Sequence, residues 1–374
     1  MTELIQTTAP SATPLGQYLG SLNSGSAPAL VPYLGALTPQ HLDAAEAETE
    51  AFLSGAAVHD LGWLRRIAIR GEDRFRWLSG MVTNEVETLA DHCGTYNLIL
   101  NAQGRIQGAA CVWRDGDALE LEVTAEQSEA LQAHLDRFII MDDVELAPIT
   151  GQSALGLTGP QADSILSKLG LATADRSMTS AIGTIAGNSG EITVDIYRNY
   201  GPIVPHYALW VADEHLPGLW QALVAAGAQP AGAASLETLR IVEGIPAYGI
   251  DIQSRDLAQE TSQTRALNFT KGCYLGQEIV ERIRSRGQVH RHLRSLEVFP
   301  ETGADVPTVG TELQGPEPGT KSAGVLTSVT QLQRNGERRI FAIAMIRAEA
   351  ETGNKPVPYP GGTANILHTP PKLQ

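Results

Sequence analysis

Cysteine is scarce: Cys93, Cys111 and Cys273 are the three in 374 residues, odd in number and far apart. That spacing supports neither a disulfide framework nor a closed cysteine-rich metal site. Long apolar runs are missing too. Residues 138–141 and 222–226 are typical of the longest, far below the roughly 20 residues a membrane-spanning helix requires. Cations are outnumbered, 27 Lys and Arg against 42 Asp and Glu, for a net charge of −15. A chain of that charge repels phosphate backbones and anionic lipid, which argues against strong nucleic-acid binding and direct membrane binding unless its cations are concentrated. The first cation is Arg65, so the N-terminus has neither the positive region of a secretory signal nor the Arg-rich face of a transit peptide. A cytoplasmic monomer is expected.

What the chain does have is length and apolar content. With 374 residues, 43% of them hydrophobic, two or three domains with real cores are predicted. Residues 1–50 read as a flexible N-terminal arm, rich in small residues and without a sustained period. Residues 51–150 read as a first α+β subdomain. It has a strand at 67–69, a helix over 72–81 with Phe75, Leu78 and Met81 on one face, and a hairpin of 96–100 and 109–113 around Asn101-Ala-Gln-Gly104. The strand-to-helix unit at 119–138 is echoed at 208–226, which suggests a second α+β subdomain over 151–293. Beyond Arg294 short alternating segments predict a C-terminal β-barrel over 294–374, its proline-rich last stretch lying extended over the surface. The fold class is α+β, with two interlocked antiparallel-sheet subdomains and the barrel.

Charge concentrates between Arg265 and Arg294, where seven Lys and Arg face only Glu278 and Glu281; these thirty residues are net +5 and the rest net −20. Arg forks suit carboxylates and phosphates, so the island suggests a small polyanion, although cations at a helix C-terminus offer a simpler reading. Inside it lies Lys271-Gly-Cys-Tyr-Leu-Gly-Gln-Glu278. Lys271 and the start of a following helix would favour a Cys273 thiolate; a lone cysteine is also commonly a small buried hydrophobe. The Gly315–Ser322 turn lacks the spacing and the preceding strand of a phosphate loop. No histidine pair has the spacing and acid of a zinc site, so no metal is expected.

The segment 268–282, with its Lys-Gly-Cys-Tyr-x-Gly-Gln-Glu signature, resembles the YgfZ-like folate-binding proteins. Residues 239–251 are similar to a segment those proteins share with the glycine-cleavage T-protein, an aminomethyltransferase, and further landmarks at 58–61, 71–73, 82–86 and 324–328 extend the resemblance over about 55–350. It implies tetrahydrofolate, with its glutamate or polyglutamate tail, as the cofactor at a central site. On this reading Arg240, Asn97 and Arg105 hold the folate, Cys273 and Lys271 are the reactive pair, Gln277 and Glu278 shape their loop, and Arg282 receives the tail. Two departures separate the branches: 104–112 lacks the essential Asp of T-proteins, and 200–207 lacks their pterin-binding Glu. The resemblance therefore implies a folate-binding accessory protein for iron–sulfur cluster assembly or repair, indirectly serving tRNA modification, with iron–sulfur proteins as partners. The alternatives are a true aminomethyltransferase and a folate-binding scaffold without chemistry.

Overall fold

The computed structural model describes residues 9–22, 27–173, 176–187, 190–315 and 322–373. Among these the main feature is an eleven-stranded sheet whose order ties the two α+β halves together. One side contains Cys93–Leu100, Ile106–Asp115, Ala118–Thr124, Leu64–Arg70 and Glu145–Ile149 in that order. The other runs Thr179–Gly187, Gly190–Asn199, His206–Ala212, Gln152–Thr158, Ala57–Asp60 and Gln229–Ala231. The sides meet at a single register pair, Thr179 with Cys93. Ala57–Asp60 precedes the whole first side in the chain, yet it pairs with Gln152–Thr158 in the second. The halves are thus interlocked.

Both strand-to-helix units form. Ala118–Thr124 leads into the helix Ala125–Asp136, and His206–Ala212 leads into Leu216–Ala225. Leu131 and Leu135 of one helix and Leu219 and Leu223 of the other are fully buried, so each helix covers its own side of the sheet. The hairpin of Cys93–Leu100 and Ile106–Asp115 turns where expected: Asn101 Oδ1 accepts from the amides of Gln103 and Arg105, and Gly104 has a φ of +69°.

The C-terminal strands Arg291–Pro300, Glu312–Leu313, Gly324–Arg334, Glu337–Arg347, Val357–Tyr359 and Gly362–Leu367 make a six-stranded, nearly closed barrel. Gln314 N donating to Pro358 O (2.7 Å) links its two edges. Residues 357–367 of the proline-rich C-terminus are therefore not a surface strap. They supply an edge strand, where a proline interrupts no ladder on its outer side. The outward face of Glu337–Arg347 shares a core with Ile241 and Val242 of the helix Ala233–Val242.

The segment expected as a mobile arm is also built into the fold. Thr13 caps the helix Pro14–Ser21, whose Leu15 is fully buried, and Leu30–Tyr33 pairs with Ala36–Pro39. The buried Asp60 accepts from the hydroxyls of Thr13 (2.5 Å) and Thr38 (2.7 Å), tying the segment to the large sheet. Its anchors are isolated residues and not a periodic stripe, so periodicity did not reveal them. Residues 1–8 of that segment, and most of the Gly315–Ser322 turn, lie outside the described residues.

Candidate functional site

A cavity of ≈ 250 Å³ is walled by strands from both sides of the large sheet, by the helix Ala233–Val242 and by the N-terminal hairpin. Its lining is mostly apolar and aromatic, including Tyr33, Leu61, Trp63, Tyr96 and Leu236. A few polar groups converge on it. Glu122, 6% exposed, accepts a hydrogen bond from Trp210 Nε1 (3.1 Å), and burial raises its carboxyl above the usual carboxylate range. His59 is 2% exposed; its Nε2 lies 3.0 Å from Thr158 Oγ1, and burial pushes the imidazole down to about 3, so it is neutral. A Cβ on Gly156 would sit 1.9 Å from the His59 ring, so only glycine leaves room for it.

Two buried polar atoms of lining residues have no hydrogen-bond partner among the described residues: His59 Nδ1 and Asn199 Oδ1. Buried polar atoms are nearly always satisfied, and both orphans belong to residues that line this cavity. Nearby, Glu243 is fully buried and accepts from His206 Nε2 (2.7 Å) and from the amides of Ile203 and Val204. The stretch 200–207, which has no acid of its own, is thereby given one by the end of a helix.

The residues proposed from the sequence do not all meet at this cavity. Arg240 lines it, but its donors are committed to Glu237, Asp251, Ser328 and the carbonyl of Ile245. Asn97 is fully buried and points to the opposite face of its strand, where its Oδ1 accepts from Asn84 N (2.8 Å) and its Nδ2 donates to Thr95. Strand alternation places its neighbour Tyr96 on the cavity instead. Arg105 is exposed at the hairpin turn and donates to the Arg255 carbonyl. None of Asn97, Arg105, Cys273, Lys271, Gln277, Glu278 and Arg282 lines the cavity.

The signature segment forms a separate module on the hairpin tip. Gly276 has a φ of +81°, and a Cβ there would meet Asn101 O at 2.6 Å. Gln277 Oε1 accepts from Tyr274 N (3.3 Å) across the loop. Glu278 and Arg282 form an exposed i,i+4 pair (2.9 Å), so the arginine is a solvated helix residue. Lys271 is buried, and its Nζ donates to the carbonyls of Ser79 (2.7 Å), Val82 (2.8 Å) and Asn84 (2.5 Å). Burial lowers this ammonium to about 8. Its three donors are spent on another segment, so Lys271 is a clamp and not the activator of Cys273, which is exposed. Lys271→Met is expected to cost roughly 1–3 kcal/mol of stability in urea unfolding, from carbonyls left without a donor. It should leave the reaction of Cys273 with a thiol reagent unchanged.

Two interlocked α+β halves with a barrel packed beside them are a fold also seen in the crystal structure of the glycine cleavage system aminomethyltransferase T from Bartonella henselae. The TM-score is 0.80 at 17% identity, over 97% of each chain. The GCVT N-terminal domain family model matches residues 29–271, well over half the chain, and the protein belongs to that family. An aminomethyltransferase of Rubrobacter xylanophilus is 27% identical over 88% of each chain. A chloroplastic transferase candidate of Arabidopsis thaliana is 27% identical over 87% of this chain and 73% of its own. Among the described residues no helix is long and apolar enough to cross a membrane.

Proposed function

We propose that the protein binds tetrahydrofolate in the central cavity and serves, without aminomethyl transfer, as an accessory to iron–sulfur cluster assembly or repair and, through iron–sulfur enzymes, to tRNA modification. The observation that carries the folate reading is the convergence of Glu122, His59 and Asn199 on one aromatic-walled cavity. A pterin edge presents adjacent N–H donors that a carboxylate can accept as a pair, and its flat ring suits tyrosine and tryptophan walls. A glutamate or polyglutamate tail would extend from the mouth.

Support for a non-transferase role comes from the hairpin. Ile106–Asp115 carries no carboxylate near its turn, and the adjacent Asp256 is buried and paired with Arg291 (2.8 Å). Losing a placed acid or base typically costs about 10²–10⁴-fold in rate. The accessory role rests on the resemblance of the signature segment to YgfZ-like proteins and on its position: it presents Cys273 on the surface, away from the cavity, where a partner protein rather than the folate would meet it. The names of the aminomethyltransferase relatives favour the rival, for which Glu122 would be the acid at hand.

An assay with aminomethylated lipoyl carrier and tetrahydrofolate separates the two: no methylenetetrahydrofolate is expected, and robust production would sink the accessory role. Cys273→Ala should lower iron–sulfur enzyme activity in cells without changing tetrahydrofolate affinity; unchanged enzyme activity would leave a scaffold only.

A further inference from the structure

Most cations of the basic island already have partners. Arg291 pairs with Asp256 and Glu260, Arg294 with Glu351, and Lys271 is held by carbonyls. Arg265 differs. Its guanidinium lies between two tyrosine rings, 4.2 Å from the centroid of Tyr96 and 4.1 Å from that of Tyr200. Its Nε donates to Gln263 Oε1 (3.2 Å), and among the described residues no carboxylate meets its terminal nitrogens. It lines the central cavity, as do both tyrosines, and Tyr200 is 38% exposed, so this sandwich stands at the solvent edge while Glu122 and His59 lie deep.

Resting on the folate reading above, we propose that Arg265 is the residue that takes the ligand's carboxylate, acting as a pre-set fork at the cavity mouth. The two ring faces and Gln263 fix the guanidinium plane, so its two terminal nitrogens are presented together and little freedom is lost when a carboxylate arrives. Arg240, the other arginine on the cavity, has no donors to spare. The acids among the described residues offer this fork no partner, and a ligand with a buried polar ring and a carboxylate tail satisfies both ends of the cavity at once. Arg265 is therefore a specificity residue: it selects carboxylate-bearing pterins over bare ones.

The test compares tetrahydrofolate with 6-methyltetrahydropterin, which has no carboxylate, by calorimetric titration of wild type, Arg265→Gln and Arg265→Lys. Arg265→Gln is expected to weaken tetrahydrofolate by about 10- to 100-fold, the worth of a charge-assisted hydrogen-bond pair, and to leave the pterin affinity unchanged. Arg265→Lys should recover part of the loss, because it keeps the charge without the fork. Equal weakening of both ligands, or of neither, overturns the proposal. If Arg265→Gln does not fold, the salt dependence of the wild type decides: tetrahydrofolate affinity falls with added salt while pterin affinity does not, and parallel behaviour contradicts the fork. A wild type that binds neither compound overturns the folate reading itself. Binding of both with Arg265 irrelevant overturns only the fork.

Discussion

Arg240→Ala lowers the unfolding free energy by roughly 3–5 kcal/mol, because it leaves a buried carboxylate without its cation. Arg240 is 8% exposed and joins three parts of the molecule. Its Nη1 donates to Asp251 Oδ2 and to Ile245 O, both at 2.6 Å, its Nε and Nη2 hold Glu237 at 2.8 and 2.7 Å, and its Nη2 reaches Ser328 Oγ at 2.8 Å. Asp251 is fixed in turn by Thr327 (2.6 Å) and Ser328 (2.7 Å) of the barrel strand Gly324–Arg334. The arginine thus pins the helix Ala233–Val242 to the loop that follows and to the barrel. Denaturant unfolding is the measurement, and Arg240→Lys should recover only part of the loss, since one ammonium cannot span Glu237 and Asp251 as a guanidinium does. A variant that kept full stability and lost only ligand affinity would show that the arginine faces the folate and not the fold.

Acidification should destabilise the protein by about 3 kcal/mol at pH 4 through His59 alone. The sign follows from its surroundings. Burial and the nearby His206 hold the folded imidazole at about 3, against an ordinary 6.5. The unfolded chain therefore binds a proton at a pH where the folded one does not. The stability contributed by neutral His59 is complete above pH 6.5 and is lost progressively as pH falls toward 3. Melting temperatures at pH 7 and pH 4 check this: wild type should lose more on acidification than His59→Gln, whatever the variant's own starting stability. Equal losses would mean that His59 is hydrated and titrates normally.

The fold was readable where periodicity and turn chemistry agree. The Gly104 hairpin, the paired strand-to-helix units and the barrel all follow from alternation, helical spacing and glycine turns. The site was less readable, for reasons that particular residues show. Asn97 and Tyr96 are adjacent, and the sequence does not say which face of the hairpin the second half of the sheet will cover. Glu120 and Glu122 alternate with apolar residues in Ala118–Thr124, a pattern that reads as one solvated face. The other half of the protein closes over that face, and Glu122 becomes buried. The N-terminal hairpin brings Tyr33 and Leu34 to the cavity from a stretch that looks structureless in composition. The signature segment was conspicuous for a different cause than chemistry at the cavity: Gly276 is required by its close approach to Asn101, and Lys271 by three carbonyls.

The most direct test of a folate site in the central cavity is calorimetric titration of tetrahydrofolate into the wild type and into Glu122→Gln. Saturable one-to-one binding is expected, weakened by about 10- to 100-fold in the variant, because the amide can accept from only one of the paired pterin donors. Equal affinity in the two proteins, or no binding to the wild type, would contradict it.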